Sequence, residues 1–292
     1  MPTFDTPEPI SVTLELGVGE VRIVASNRAD TVVEVRPSDA SRKSDVTAAE
    51  QTRVEYADDR LHIKSPKGWK QYSFRSGRES IAVQIELPVG SQVRGDLGMG
   101  GFRTTGRLGE CRVKTGVGDI RLDQVGPGQL TTGVGDITVE GVTGDAEITT
   151  GSGALQIGAI DGSATVKNSN GDTWIGEVSG DLRMNAGNGR IAVDQAHATV
   201  AAKTANGDVR IGEVARGAVV AQTAYGKVEV GIRDGVAAWL DLDTHFGNVE
   251  NSLDPTGRPS ASEDTVEVLA RSSFGDITVH RSLASQTGRD LG

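Results

Sequence analysis

The sequence predicts an all-β protein: a β-solenoid (β-helix) of about ten coils with ~18-residue repeats, preceded by an N-terminal β segment. Three observations predict it. Glycines followed by a turn residue recur at a steady interval, and apolar residues alternate with a period of two on either side of each. Aromatic residues supply only 4% of the chain while Gly supplies 39 of its 292 residues. A globular core of this length ordinarily draws more on Phe, Tyr and Trp, whereas a narrow coil is filled by β-branched residues and Ala.

The interval is read from Gly100, Gly118, Gly135, Gly153, Gly171, Gly189, Gly207, Gly226, Gly247 and Gly275, with steps of 18, 17, 18, 18, 18, 18, 19, 21 and 28. Two residues after each glycine stands an apolar residue or Thr, as in Ile120, Ile137, Leu155, Thr173, Ile191 and Val209. Four after it come Leu122, Val139, Ile157, Ile175, Val193 and Ile211, with Asn251 the exception. Five before it come Val113, Leu130, Ile148, Val166, Met184 and Ala202. Each repeat thus holds two short strands, one ending just before the glycine and one starting just after it. Eighteen residues cannot enclose a core of their own, so each copy buries its apolar face only by stacking on the next.

The glycine is the corner between the two strands. "TGVGDI", which occurs at Thr115–Ile120 and Thr132–Ile137, places Gly where the backbone needs positive φ and Asp where a turn tolerates it. Three residues before the corner runs a polar column: Thr115, Thr132, Thr150, Asn168, then Ala186, then Thr204, Thr223, Thr244 and Ser272. Stacked at the strand spacing, its hydroxyls and amides are expected to bond along the column.

The same template fits Gly19, with Val12, Leu14 and Leu16 before it and Val21 and Ile23 after it. The period is then lost, and Val32–Val35, Val54–Tyr56, Leu61–Ile63 and Ile81–Leu87 read as longer strands joined by polar loops, Pro37–Arg53 among them. The organisation expected is an N-terminal β segment or cap over residues 1–95, solenoid repeats over 96–281 and a tail over 282–292. Asn251–Asp264 reads as a loop inserted into a late coil.

A formal charge of −10 argues against broad nucleic-acid affinity. Cys111 is the single cysteine, which excludes an intrachain disulfide. With no basic-then-apolar leader and no apolar run of membrane-spanning length, the chain reads as cytoplasmic.

No residue set predicts catalysis, a cofactor or a metal. The corner acids Asp119, Asp136, Asp172, Asp208 and Asp276 invite a calcium reading, but Ala154, Arg190, Lys227 and Asn248 interrupt their column. From Asp172 to Lys227 the charges alternate in sign, which relieves like-charge stacking without a metal. Asp119 and Asp136 form the best stacked carboxylate pair for glycoside chemistry, without an aromatic platform or a basic residue in register. Asp241 and Asp243 are expected to point outward from a strand whose Leu240 and Leu242 point inward. His62, His197, His245 and His280 share no ligand-like spacing.

One stretch runs against the acidic grain. Lys64–Arg78 sets Lys67, Lys70, Arg75 and Arg78 among Trp69, Tyr72 and Phe74. Two readings stand open: a contact for an anionic partner such as a membrane surface through Lys67, Trp69, Lys70, Tyr72, Arg75 and Arg78, or a hairpin whose aromatics pack on the first coil.

The "GVGDI" and "NGDVRI" corners, with "IELPVGSQV" leading into the first regular coil, resemble the bacterial putative-adhesin β-solenoid family of actinobacterial type. That resemblance covers nearly the whole chain and implies a stacked-coil fold without an established enzymatic activity. A more distant resemblance is to bactofilins, shorter cytosolic β-solenoids that polymerise end to end. The function expected is a non-catalytic scaffold or interaction protein whose partner is another protein or itself, forming a homo-oligomer through its solenoid ends. Carbohydrate binding or carbohydrate-active β-helix chemistry is the alternative.

Overall fold

The computed structural model describes residues 1–66, 79–253 and 264–282. The chain divides into two compact units, Met1–Gly162 and Ser163–Gly292. Both are built of coils in which one strand ends at the corner glycine and the next begins two residues beyond it, as the repeat predicts. In the first unit Cys111–Val117 and Ile120–Val125 flank Gly118, and Gly128–Val134 and Ile137–Thr143 flank Gly135. The strands pair in parallel and in register, so that Leu130 lies on Val113 and Ile137 on Ile120.

Because equivalent residues stack, the inward columns close on themselves. Ile120, Leu130, Ile137, Ile148 and Ile157 are buried, as are Ile175, Ile191, Val209 and Ile211 in the second unit. Burying such a side chain contributes about 1.5–3 kcal/mol. Arg233, which breaks the inward column seven residues after Gly226, marks a register shift at which Ile232 takes the inner place against Val214.

At the start of the first unit the strand Ser11–Ser26 turns through Gly19 and makes a whole coil. It pairs with Gln92–Met99 and Phe102–Thr105 on one side, and with Arg60–Lys64 and Ile81–Pro88 on the other. Antiparallel strands finish that side. Asp30–Pro37 lies on Ile81–Pro88, the three-residue Thr3–Asp5 on Asp30–Pro37, and Arg53–Ala57 on Arg60–Lys64. Short antiparallel strands blunt the edge that a coil stack otherwise presents.

The polar segment Pro37–Arg53, expected as loop, holds the α-helix Lys43–Gln51. Its hydrophobic signal is slight, since Ala48 is the one apolar residue it buries. Asp45, also buried, accepts hydrogen bonds at Oδ1 from the Ser44 hydroxyl and the Ser80 amide.

In the second unit the sequence order of the last two coils is not their spatial order. Thr265–Phe274 pairs with Gly217–Tyr225 on one side and with Ala237–Phe246 on the other. Ile277–Arg281 likewise lies between Val228–Ile232 and Val249–Asn251. The coil at Gly275 is therefore inserted between those at Gly226 and Gly247, and the Gly247 coil is outermost among the described residues. Residues 254–263, the larger part of the Asn251–Asp264 insertion, lie outside the described residues, as do 283–292 of the tail.

Candidate functional site

The corners show what the polar repeat residues do. Gly118 has φ +148° and Gly207 φ +143°, and a Cβ at Gly118 would stand 2.0 Å from the Gly100 carbonyl oxygen. Conformation and proximity each demand glycine there. The threonine hydroxyls do not bond to one another along their column, as expected from sequence. They cross to the neighbouring coil and donate to its corner glycine carbonyl: Thr132 to Gly118 O at 3.0 Å, Thr223 to Gly207 O at 2.9 Å and Thr244 to Gly275 O at 2.9 Å.

The corner aspartates accept from the coil beyond. Asp119 Oδ1 takes the Asp136 amide at 3.0 Å, Asp136 Oδ1 the Ala154 amide at 2.7 Å, and Asp208 Oδ1 the Lys227 amide at 2.8 Å. These acids tie the stack together, and no group of His, Cys, Asp and Glu among the described residues has the arrangement of a metal centre. The Asp119–Asp136 pair does have a basic neighbour, contrary to the sequence reading: Arg121 Nη2 donates to Asp119 Oδ2 at 3.2 Å. Both Asp119 oxygens are thus occupied by groups of the protein itself. His197 pairs with Glu177 at 2.8 Å and His280 with Glu229 at 3.2 Å. Cys111 fills an inward position, and burial pushes its thiol up to about 12.

One column was not read from the sequence. Immediately before each corner glycine of the second unit stand Asn170, Asn188, Asn206, Tyr225, Phe246 and Phe274. Asn188 donates to Asn170 Oδ1 and Asn206 to Asn188 Oδ1, both at 2.8 Å, forming an amide ladder. Tyr225 then stacks on Phe274 with ring centroids 4.9 Å apart and planes 2° apart. Phe274 in turn stacks on Phe246 at 4.8 Å and 7°. The signal was available in the constant offset from the glycine.

The ring ladder ends on the outermost coil, where Ala237–Phe246 has a strand neighbour on one side only among the described residues. There Trp239 is 60% and Phe246 67% exposed, and Val249 is exposed as well. Leu240 and Leu242, expected inward, are only half-buried, since no further coil among the described residues covers them. Asp241 is half-buried too, and accepts from Arg271 Nη2 at 2.7 Å, which raises the Arg271 pKa. Asn251, the exception in its column, is exposed at this same end, where a polar residue costs little.

The six residues singled out for an anionic partner, Lys67, Trp69, Lys70, Tyr72, Arg75 and Arg78, lie outside the described residues. Of that stretch, Lys64 is described, and its ammonium pairs with Glu15.

Residues 10–280 match the family described as Toastrack DUF4097. The chain belongs to that family. The stacked-coil fold implied by the "GVGDI" corners is that of a Toastrack protein. Solved structures similar to this Toastrack chain include one named a "putative adhesin" from Bacteroides fragilis, 15% identical over 95% of each chain with a TM-score of 0.38. A second protein of that name, from Parabacteroides merdae, is 14% identical over 79% of this chain and 94% of its own, with a TM-score of 0.46. A third, from Parabacteroides distasonis and named a "putative lipid binding protein", is 11% identical over 96% of this chain and 95% of its own, with a TM-score of 0.41. No curated protein matches the chain. No helix among the described residues is long and apolar enough to cross a membrane.

Proposed function

We propose that this Toastrack protein is a non-catalytic interaction scaffold that pairs with a second copy of itself through its outermost C-terminal coil. The observation that carries the reading is the one-sided strand Ala237–Phe246, with Trp239 and Phe246 exposed beside half-buried Leu240 and Leu242. A parallel edge of ten residues offers unmade main-chain hydrogen bonds, and a flanking apolar rim gives them something to bury. The N-terminal coil of the first unit, by contrast, is finished by antiparallel strands of three and five residues. One open edge among the described residues favours a closed pair over an open filament, because the same patch then meets itself across a two-fold axis. The corner carboxylates support a structural rather than a catalytic role, since they accept main-chain amides.

Sedimentation velocity across a wide concentration range tests this. The native chain is expected to reach a dimer, and the double variant Trp239→Glu, Phe246→Glu to stay monomeric with its β-sheet circular dichroism unchanged. A native chain that stays strictly monomeric at the highest concentration overturns the proposal.

A further inference from the structure

On the outer face of the first unit, three arginines occupy the same offset from successive corner glycines. Arg22, Arg103 and Arg121 stand three residues after Gly19, Gly100 and Gly118. The strand register places Arg22 opposite Arg103, and Arg103 opposite Arg121. All three are exposed. Like charges directly opposite each other on neighbouring strands are destabilising. On the other face of the same coils Arg94 likewise lies opposite Arg112, but there Arg112 pairs with Glu110, and Lys64 pairs with Glu15.

The arginine row borders a groove of about 550 Å³ that Gly100, Gly101, Gly118, Met99 and Val117 also line. Two carboxylates lie in it, and both are held by the protein's own groups. Glu20 Oε1 accepts the Gly101 amide at 3.1 Å, and Asp119 accepts the Asp136 amide and Arg121. Among the described residues Arg22 and Arg103 have no hydrogen-bonding or ion-pair partner. Two guanidinium forks, uncommitted among the described residues, therefore line the groove.

The geometry points to this groove as a binding site for an acidic polysaccharide, its sugar carboxylates taken in turn by Arg103 and Arg22 and its C–H faces resting on Met99 and Val117. A guanidinium presents two parallel donors that fit one carboxylate. Arginines on adjacent strands repeat at about 4.8 Å, a spacing that suits one charge per sugar in an extended chain better than a single compact anion. Single-stranded nucleic acid is disfavoured because it needs exposed rings on which bases stack. The one aromatic residue of the groove lining, Phe102, is buried. The site lies in the other unit from the open C-terminal edge, so its fate and that of self-association are separable.

The test is affinity electrophoresis of the full chain through gels carrying polygalacturonate, dextran or poly(A), at low and high salt. Polygalacturonate is expected to retard the chain, dextran to leave its mobility unchanged, and added salt to weaken the effect by screening. The double variant Arg22→Gln, Arg103→Gln is expected to lose about a hundredfold in affinity, the scale of two charge-assisted contacts. Arg94→Gln, Arg112→Gln removes an arginine pair from the opposite face and is expected to bind as the native chain does. Circular dichroism and melting of each variant separate lost binding from lost fold. Absence of retardation by polygalacturonate at low salt overturns the inference. So does equal loss in both double variants, or tighter binding of poly(A).

Discussion

Phe246 and Phe274 stack at 4.8 Å with planes 7° apart, and the later residue of the two lies further inside the coil series. Thr265–Phe274 has a strand on each side, whereas Ala237–Phe246 has one among the described residues. Main-chain amides that open only with a whole coil exchange slowly, and those of an edge exchange early. Hydrogen exchange read by mass spectrometry is expected to show Val268 and Ala270 protected longer than Leu240 and Leu242. The reverse order would contradict the insertion of the last coil.

The corner acids are expected to behave as main-chain acceptors. Asp136→Ala leaves the Ala154 amide without its partner at 2.7 Å and is expected to cost about 1 kcal/mol. Asp136→Asn keeps an oxygen in place and is expected to cost less. Calcium is expected to leave the melting midpoint of the native chain unchanged, because Asp136 Oδ1 is already taken. A calcium-dependent rise in that midpoint, lost in Asp136→Asn, would refute this account.

Glycine substitutions separate the two demands on a corner. At Gly118, positive φ combines with a carbonyl 2.0 Å from any added Cβ, so Gly118→Ala is expected to cost about 3 kcal/mol or more. Gly235 has φ +79° and nothing within 4 Å of the place a methyl group would take, so Gly235→Ala is expected to cost about 1 kcal/mol. Urea unfolding of the two variants gives the comparison, and equal losses would show that proximity adds nothing.

Cys111 sets a pH dependence. Its buried thiol keeps its proton to about 12, while the unfolded chain ionises from its ordinary value of 9.0. Between those values the folded state binds more protons than the unfolded one, so stability falls as pH rises through that window. The slope attributable to the thiol approaches about 1.4 kcal/mol per pH unit. Cys111→Ala is expected to flatten that part of the curve in denaturant titrations from pH 8 upward. The native thiol is also expected to resist alkylation until denaturant is added, and rapid labelling of the folded chain would place it at the surface.

The coil repeat was legible because every inward column follows a fixed offset from its glycine, and burial at Ile120, Ile137 and Ile191 bears that out. The stacking order of the last coils was not. Gly247 and Gly275 carry like flanks before the corner and differ after it at Asn251 against Val279, too slight a mark to say which coil lies on Gly226. Only the longer steps before them hinted at an irregular path. Arg22, Arg103 and Arg121 were legible in principle, as a column three residues past the corner, yet a charge ladder acquires meaning only when register makes its members neighbours. The helix Lys43–Gln51 left almost no apolar signal, since Ala48 is the one apolar residue that it buries.

The inverted order of the final rungs also constrains how the chain matures. During synthesis the Gly247 rung leaves the ribosome before the Gly275 rung exists, and the vacant landing place beside Gly226 accepts either. The native arrangement requires the early arrival to be displaced, or the two rungs to dock as a pair. A product cut short after Asn251 has no such correction available, and its Gly247 rung is expected to settle one step deeper, on Gly226.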